Sequence, residues 1–293
     1  MDINNLQTFI TVAETGSFSQ TSDQLFLTQP AISKRVAALE EELGTPLFDR
    51  LGRQVSLTEA GRALLPRARS ILLQLEDSRR AISNLSGRVA GSLCIGTSHH
   101  IGLHRLPPVL KRFIQQYPAV ELDIRFMDSE EACRAVEHGD LELGIVTLPL
   151  QPVANLATHV IWPDPLSLVI SHQHPLKQIS EIDIAALAKY PAILPSHGTY
   201  TREVIEEAFR PAGLKLKIGM STNYLETIKM LVMVGLGWSV LPNTMLSKEL
   251  QAIRIREIAL RRELGIVRHQ SRTLSNAAQA LIGVVKRARS SNG

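Results

Sequence analysis

The chain has 293 residues, 44% of them hydrophobic and 20% charged, with a formal net charge of +4. That length suffices for two or three domains with their own cores, and the composition excludes a disordered polymer. Cys94 and Cys133 are too few for a disulfide framework, the opening MDINNL lacks the basic region and apolar core of a secretory leader, and the longest nearly apolar run, 231–242, is too short to span a bilayer. A cytoplasmic protein is expected.

In chain order, Leu6, Phe9, Ile10 and Ala13 recur at helical spacing and Gly16 ends that segment. Ser17 is placed to cap a second short helix over 18–25, and a tight connection through Phe26 and Leu27 leads to a third. Thr28 can cap this third helix, where Pro30 is tolerated because a first-turn N–H has no intrahelical partner. Ile32, Val36, Leu39 and Leu43 form its apolar stripe, and Gly44 stops it. The opposite face, with Pro30, Ser33, Lys34 and Ala37, and with Gln29 at the entrance, is short, polar and cationic, so it can approach base edges and phosphates closely. Two helices joined by a short turn, the second with such a face, make a helix-turn-helix. The following LFDRLGRQVSLT alternates about Gly52 and reads as a two-stranded wing, where Arg50 and Arg53, with Arg35 on the helix, would anchor phosphates. Bulk charge does not carry this reading, because residues 1–90 hold ten Lys/Arg and ten Asp/Glu.

This segment resembles the DNA-binding domain of LysR-type transcriptional regulators. The resemblance rests on Leu6, Phe9, Gly16, Ser17, Phe18, Ala31, Ser33, Leu39, Glu40, Leu43, Gly44, Leu47, Phe48, Arg50, Arg53, Leu57, Thr58, Ala60 and Gly61. Thr21 and Ser22 depart from it, standing where the family usually has small apolar residues, and are expected to loosen packing there.

From Thr58 to about Arg88 one long helix is expected. Leu64, Ala68, Ile71, Leu75, Ser78, Ile82 and Leu85 alternate in steps of four and three, a coiled-coil seam with one polar interruption. Such a seam implies a second copy of the chain, and Pro66 is expected to kink the helix near its start. The resemblance implies a linker helix used in this way.

Beyond Gly91 strands and helices alternate, which indicates an α/β domain with mainly parallel strands. Strands are expected over 93–97, 120–126, 143–147, 159–161, 166–171, 192–194, 216–220, 238–241 and 264–268. Helices are expected over 103–116, 129–138, 202–209, 225–234 and 275–289. The fold class is α/β overall: a winged helix-turn-helix over 1–58, a linker helix over 59–88, and a two-lobed α/β effector domain over 91–293. The resemblance implies a periplasmic-binding-protein-like fold for that domain, with lobe I over 91–162 and 265–293 and lobe II over 163–264. The chain would cross between lobes near Trp162-Pro163 and return near 262–265.

Small ligands bind beyond the carboxyl ends of strands in open α/β folds. That rule selects Ser98, His99, His100 and Thr147 from the first lobe, and Ser196, His197, Thr199, Thr222 and Asn223 from the second. Hydroxyls, imidazoles and backbone N–H groups suit a small anion, although capping alone also accounts for the serines and threonines. His99, His100 and His104 lie close together, but no cysteine or carboxylate accompanies them in the sequence to complete a metal set. Cys94 and Cys133 match an oxidant-sensing pair poorly, and no hydrolase or phosphate-loop motif appears. The expectation is therefore a non-enzymatic transcription regulator without a cofactor. Its partners would be double-stranded operator DNA, a small-molecule co-inducer, a second copy in a homodimer that assembles further to a homotetramer, and RNA polymerase. The competing reading is a solute-binding or redox-sensing module whose N-terminal helices serve protein interaction.

Overall fold

The computed structural model describes residues 1–49, 55–179, 181–213, 216–255 and 258–290. The chain divides into two compact units, Met1–Ser86 and Gly87–Gly293.

The first unit comprises α1 (Ile3–Thr15), α2 (Phe18–Gln24), α3 (Gln29–Leu43), the short strands β1 (Phe48–Asp49) and β2 (Ser56–Leu57), and α4 (Glu59–Asn84). Local chemistry sets these boundaries. Asp2, Ser17, Thr28 and Thr58 accept backbone N–H bonds at the four helix starts, and Gly16 and Gly44 take left-handed conformations at the ends of α1 and α3. Leu6, Phe9, Val12, Ile32, Val36, Leu39, Leu47 and Phe48 form the core. Leu43 departs from the expected stripe: at the last position of α3 it is exposed, since the helix has no further turn to carry it inward. Packing at Thr21 and Ser22 is not loosened. Thr21 is fully buried and shares a 2.8 Å hydrogen bond with Thr15, while the Ser22 hydroxyl donates to the Ser19 carbonyl at 2.7 Å. Their polar atoms are satisfied internally.

α4 is continuous, with Pro66 inside it. Its stripe divides in two. Ala68 is fully buried in the unit's own core, and Leu64, Leu65 and Leu72 pack against the same cluster. Further along, Ile82 and Leu85 are 72% and 86% exposed.

The second unit has two lobes. In lobe I, β3 (Gly91–Thr97) lies between β4 (Val120–Phe126) and β5 (Leu143–Thr147), parallel to both. The short α5 (His99–His104), α6 (Leu106–Gln116) and α7 (Ser129–His138) follow these strands, and the C-terminal α11 (Asn276–Ser290) packs on the same lobe. A break at Arg105 separates α5 from α6 where a single helix was expected.

At the crossing between lobes the strands, rather than the place of the crossing, differ from expectation. β6 (Leu156–Ser171) is one unbroken strand running from lobe I into lobe II. Its first part pairs with β11 (Arg261–His269), and its second part with β9 (Ser239–Pro242) and β10 (Leu250–Ile253), antiparallel in each case. β11 is also antiparallel to β5. The sheet is therefore mixed rather than mainly parallel, because the strands that leave and re-enter lobe I travel in opposite directions. A register shift at Leu264/Gly265 bends the pair, and a Cβ on Gly265 would stand 2.3 Å from the His159 carbonyl oxygen. Lobe II is completed by α8 (Ile184–Ala188), β7 (Ala192–Leu194), α9 (Tyr200–Phe209), β8 (Ile218–Ser221) and α10 (Leu225–Met233), with β7 parallel to β8. Among the described residues, no helix is long and apolar enough to cross a membrane.

Candidate functional sites

In the first unit the buried stripe of α3 turns its other face outward. Gln29, Pro30 and Lys34 are exposed and Ser33 is half-buried. Arg35 is drawn inward, with its Nη1 donating to the Thr8 hydroxyl at 3.4 Å, so α1 helps hold its guanidinium. Arg50 and Arg53 lie outside the described residues. Two features escaped the sequence reading. Glu40 Oε1 accepts from the backbone N–H of Leu47 at 2.7 Å and Phe48 at 3.3 Å, which ties α3 to the start of β1. Phe26, in the turn between α2 and α3, has a φ of 54° and is 95% exposed. Nothing local in the sequence marks a phenylalanine for that conformation.

In the second unit a crevice lies between the lobes, with a cavity of about 50 Å³. A water needs roughly 10–15 Å³ on this measure, so the space suits a few waters or one small compact ligand. Ser98, His99, His100, Thr147, Thr199 and Asn223 line it. The other three selected residues are not among its lining. The Ser196 backbone donates to Asn223 Oδ1 at 2.9 Å, His197 points outward beside Glu206, and the Thr222 hydroxyl accepts from the Tyr224 backbone. Ser98 and Thr199 both cap helices and line the cavity, so the two readings of these residues are compatible. His99 is held between the rings of Phe126 and Tyr224, at centroid distances of 5.3 and 4.9 Å.

The structure adds Asp128, Ser129, Glu130, Thr201 and Arg262 to the lining. The first three follow the carboxyl end of β4, where the rule already used would have found them. Arg262 lies on an antiparallel strand, which that rule does not address. Two carboxylates latch the lobes: Glu130 accepts from the Tyr200 backbone at the start of α9, and Asp128 accepts from the Asn223 side chain. Burial raises the Glu130 pKa, and the Tyr200 N–H opposes that shift.

Behind the cavity lies the hinge. Asp164 and Arg262 face each other in register where β6 and β11 pass between lobes. Asp164 is fully buried; its carboxylate accepts from Arg262 Nε at 2.8 Å and from Arg105 Nη2 at 3.1 Å. Arg262 Nη1 reaches Thr201 on α9 at 2.7 Å, while its Nη2 has no hydrogen-bond partner among the described residues. Burial lowers the Arg262 pKa and Asp164 opposes the shift; an arginine starts high enough to stay charged. His100 is buried with neither ring nitrogen hydrogen-bonded among the described residues, and its pKa is pushed down to about 3, chiefly by burial and then by the Arg262 charge. Burial likewise raises the thiol pKa of Cys94 to about 12 and of Cys133 to about 11, so both remain protonated at neutral pH and poorly nucleophilic.

A winged helix-turn-helix joined to a two-lobed α/β domain with a polar crevice defines a DNA-binding regulator with a ligand-binding domain. Family comparison agrees: "Bacterial regulatory helix-turn-helix protein, lysR family" matches residues 3–62 and "LysR substrate binding domain" matches residues 86–290. The chain belongs to the LysR family of transcriptional regulators. An uncharacterized HTH-type transcriptional regulator of Azotobacter vinelandii, from the ibpB-leuC intergenic region, is 68% identical over 108 residues, 37% of this chain and 75% of that one. A probable RuBisCO transcriptional regulator of Synechocystis sp. is 32% identical over 290 residues, 96% of this chain and 84% of that one. Full-length OxyR from Pseudomonas aeruginosa, in a variant form, shares the fold with a TM-score of 0.69 at 24% identity, covering 99% of this chain and 94% of that one.

Proposed function

We propose that this LysR-type regulator reads operator DNA with Gln29, Pro30, Ser33 and Lys34, anchors phosphates with Arg35, Arg50 and Arg53, and responds to a small anion-bearing effector in the crevice of its second unit. The observation that carries the effector reading is Arg262, 4% exposed and on the cavity wall, with its Nη2 unpaired among the described residues. A buried cationic donor without a partner is costly, and an oxyanion or carboxylate satisfies it. Asp128 and Glu130 on the same wall favour an effector that also carries hydrogen-bond donors. The boundaries 1–58, 59–88 and 91–293 mark its DNA-binding, linker and effector parts, and the protein works in the cytoplasm without catalysing a reaction. It dimerises through the half-buried Leu75 and the exposed Ile71 and Ile82 of α4, with Leu85 at its C-cap, so that two recognition helices meet a two-fold-related site. Pairs of dimers then form a tetramer that communicates with RNA polymerase.

The test is binding of the full chain to DNA from upstream of its own gene, across a salt series and a panel of sulfate, phosphate and short carboxylates. The logarithm of affinity should fall linearly with that of salt, by roughly 0.9 per phosphate neutralised. Ser33→Glu should abolish specific binding while leaving the melting temperature unchanged. Undiminished operator affinity in that variant refutes the recognition face, and a panel without any shift in melting temperature or DNA affinity refutes the anionic effector.

A further inference from the structure

We propose that His100, His104 and Glu226 form a binding site for a late first-row divalent cation, Zn²⁺ in the first instance, that bridges the two lobes beside the crevice. His100 and His104 stand four residues apart on α5, so their rings share one side of the helix, with centroids 4.7 Å apart. Glu226 comes from the first turn of α10 in lobe II. Its Oε1 is 2.9 Å from His104 Nε2 and 3.9 Å from His100 Nδ1, and one donor atom from each residue lies within 4.8 Å of the others. A tetrahedral zinc ion with bonds of about 2.0–2.2 Å sets its donors roughly 3.3 Å apart. Side-chain shifts on the order of an ångström therefore bring this group to metal-binding geometry.

A second observation points independently to a ligand. His100 is 4% exposed, yet neither ring nitrogen has a hydrogen-bond partner among the described residues. An imidazole buried in this way carries a desolvation penalty that coordination to a metal removes. Two imidazole nitrogens and one carboxylate oxygen form a borderline donor set, suited to Zn²⁺ and its neighbours rather than to Mg²⁺ or Ca²⁺, which take oxygen shells. His104 and Glu226 are partly exposed, which leaves the ion a path from solvent. Three protein donors also leave a fourth position open to water. The buried Asp164 carboxylate, shared by Arg105 and Arg262, offsets the repulsion those guanidinium groups exert on a cation. Because α5 belongs to lobe I and α10 to lobe II, the ion favours the arrangement that brings them together, by the difference in its affinity for the two states. His100 lines the cavity whereas His104 and Glu226 are not among its lining, so the site adjoins the effector pocket and shares only His100 with it, and substitutions at His104 and Glu226 leave the lining of that pocket in place.

The experiment uses full-length protein stripped with EDTA, titrated with Zn²⁺ by calorimetry and with Co²⁺ by visible absorption. One equivalent should bind per chain, with the intense d–d absorption of a low-coordinate cobalt site. Glu226→Gln and His104→Gln should each weaken Zn²⁺ binding by at least about 100-fold while melting like the wild type in EDTA, since both positions are partly exposed. Cys94→Ser combined with Cys133→Ser should bind as the wild type does. Lack of a 1:1 wild-type site, unaltered affinity in either substituted ligand variant, or loss of binding in the cysteine variant overturns the proposal. The wild-type cobalt spectrum decides the matter if a variant fails to fold. Failure of this site leaves an anion-induced melting shift untouched, so it is distinguishable from failure of the effector reading.

Discussion

Replacing Asp164 with alanine tests whether the hinge is held by the charge network at its centre. The substitution removes the carboxylate that Arg262 Nε and Arg105 Nη2 share and leaves both guanidinium groups without it. Arg105 keeps part of its side chain at the surface and can turn to water, but Arg262 cannot. Removing one partner of a buried ion pair costs about 3–5 kcal/mol, mainly because the remaining charge stays buried. For a unit of this size each kcal/mol corresponds to roughly 2–4 °C in melting temperature, so a drop of about 6–20 °C is expected in the transition of the second unit. Calorimetry or circular dichroism of the full chain measures it. The double variant Asp164→Leu with Arg262→Met should recover most of the loss, because an apolar replacement of similar volume avoids the desolvation of both charges. A drop below about 3 °C for Asp164→Ala, or a double variant less stable than the single one, refutes the reasoning.

Glu130→Gln keeps an acceptor for the Tyr200 N–H but removes a carboxylate whose pKa burial has raised above its ordinary value of 4.5. A raised acid binds more protons folded than unfolded, so its ionisation reduces stability as pH rises through the folded pKa. The glutamine variant should therefore be the more stable at neutral pH, an advantage that disappears as both carboxyl states become protonated below about pH 4.5; equal melting curves for both proteins across that range would contradict it. Ile71→Glu with Leu75→Glu should break the dimer. Each buried aliphatic side chain is worth about 1.5–3 kcal/mol and a two-fold interface loses each one twice, so dissociation should become more than about 100-fold easier. Sedimentation should show monomer, with DNA affinity falling in parallel, and a dimer of undiminished stability would place the contact elsewhere. Gly61→Ala should destabilise the first unit by more than 1 kcal/mol, as the added Cβ would stand 2.2 Å from the Leu47 carbonyl oxygen. Chemical denaturation reads this directly, and a loss within about 0.5 kcal/mol, the range of ordinary surface changes, would show that the backbone at Leu47, just before β1, moves aside freely.

The winged helix-turn-helix was legible because its signals span only a few residues. Ser17, Thr28 and Thr58 cap the helices they immediately precede, and Ile32, Val36 and Leu39 mark a face by their spacing. The crevice was legible in part for a similar reason: a residue at the end of a strand, such as Thr147, or just past it, such as Ser98, is located by that strand alone. The same rule selected His197 wrongly, because a loop beyond a strand can turn its side chain outward. The stripe on α4 was visible as a period, but a period does not say what covers it; Leu64 and Ala68 proved to face the core of their own unit.

What the sequence determined by itself is therefore most of the helices and strands, their faces and the family to which they belong, since helical period, capping and turn chemistry act over a few bonds; the short α8 and β10 and the unbroken run of β6 carried no such local mark. The tertiary structure alone decided which distant groups meet. Asp164 and Arg262 are 98 positions apart, and His104 and Glu226 are 122 apart. Both pairs form because β6 and β11 cross together from one lobe to the other, bringing two cores and their polar edges to a single crevice. A carboxylate sought beside the histidines in the sequence was absent there; the fold supplies it from the opposite lobe.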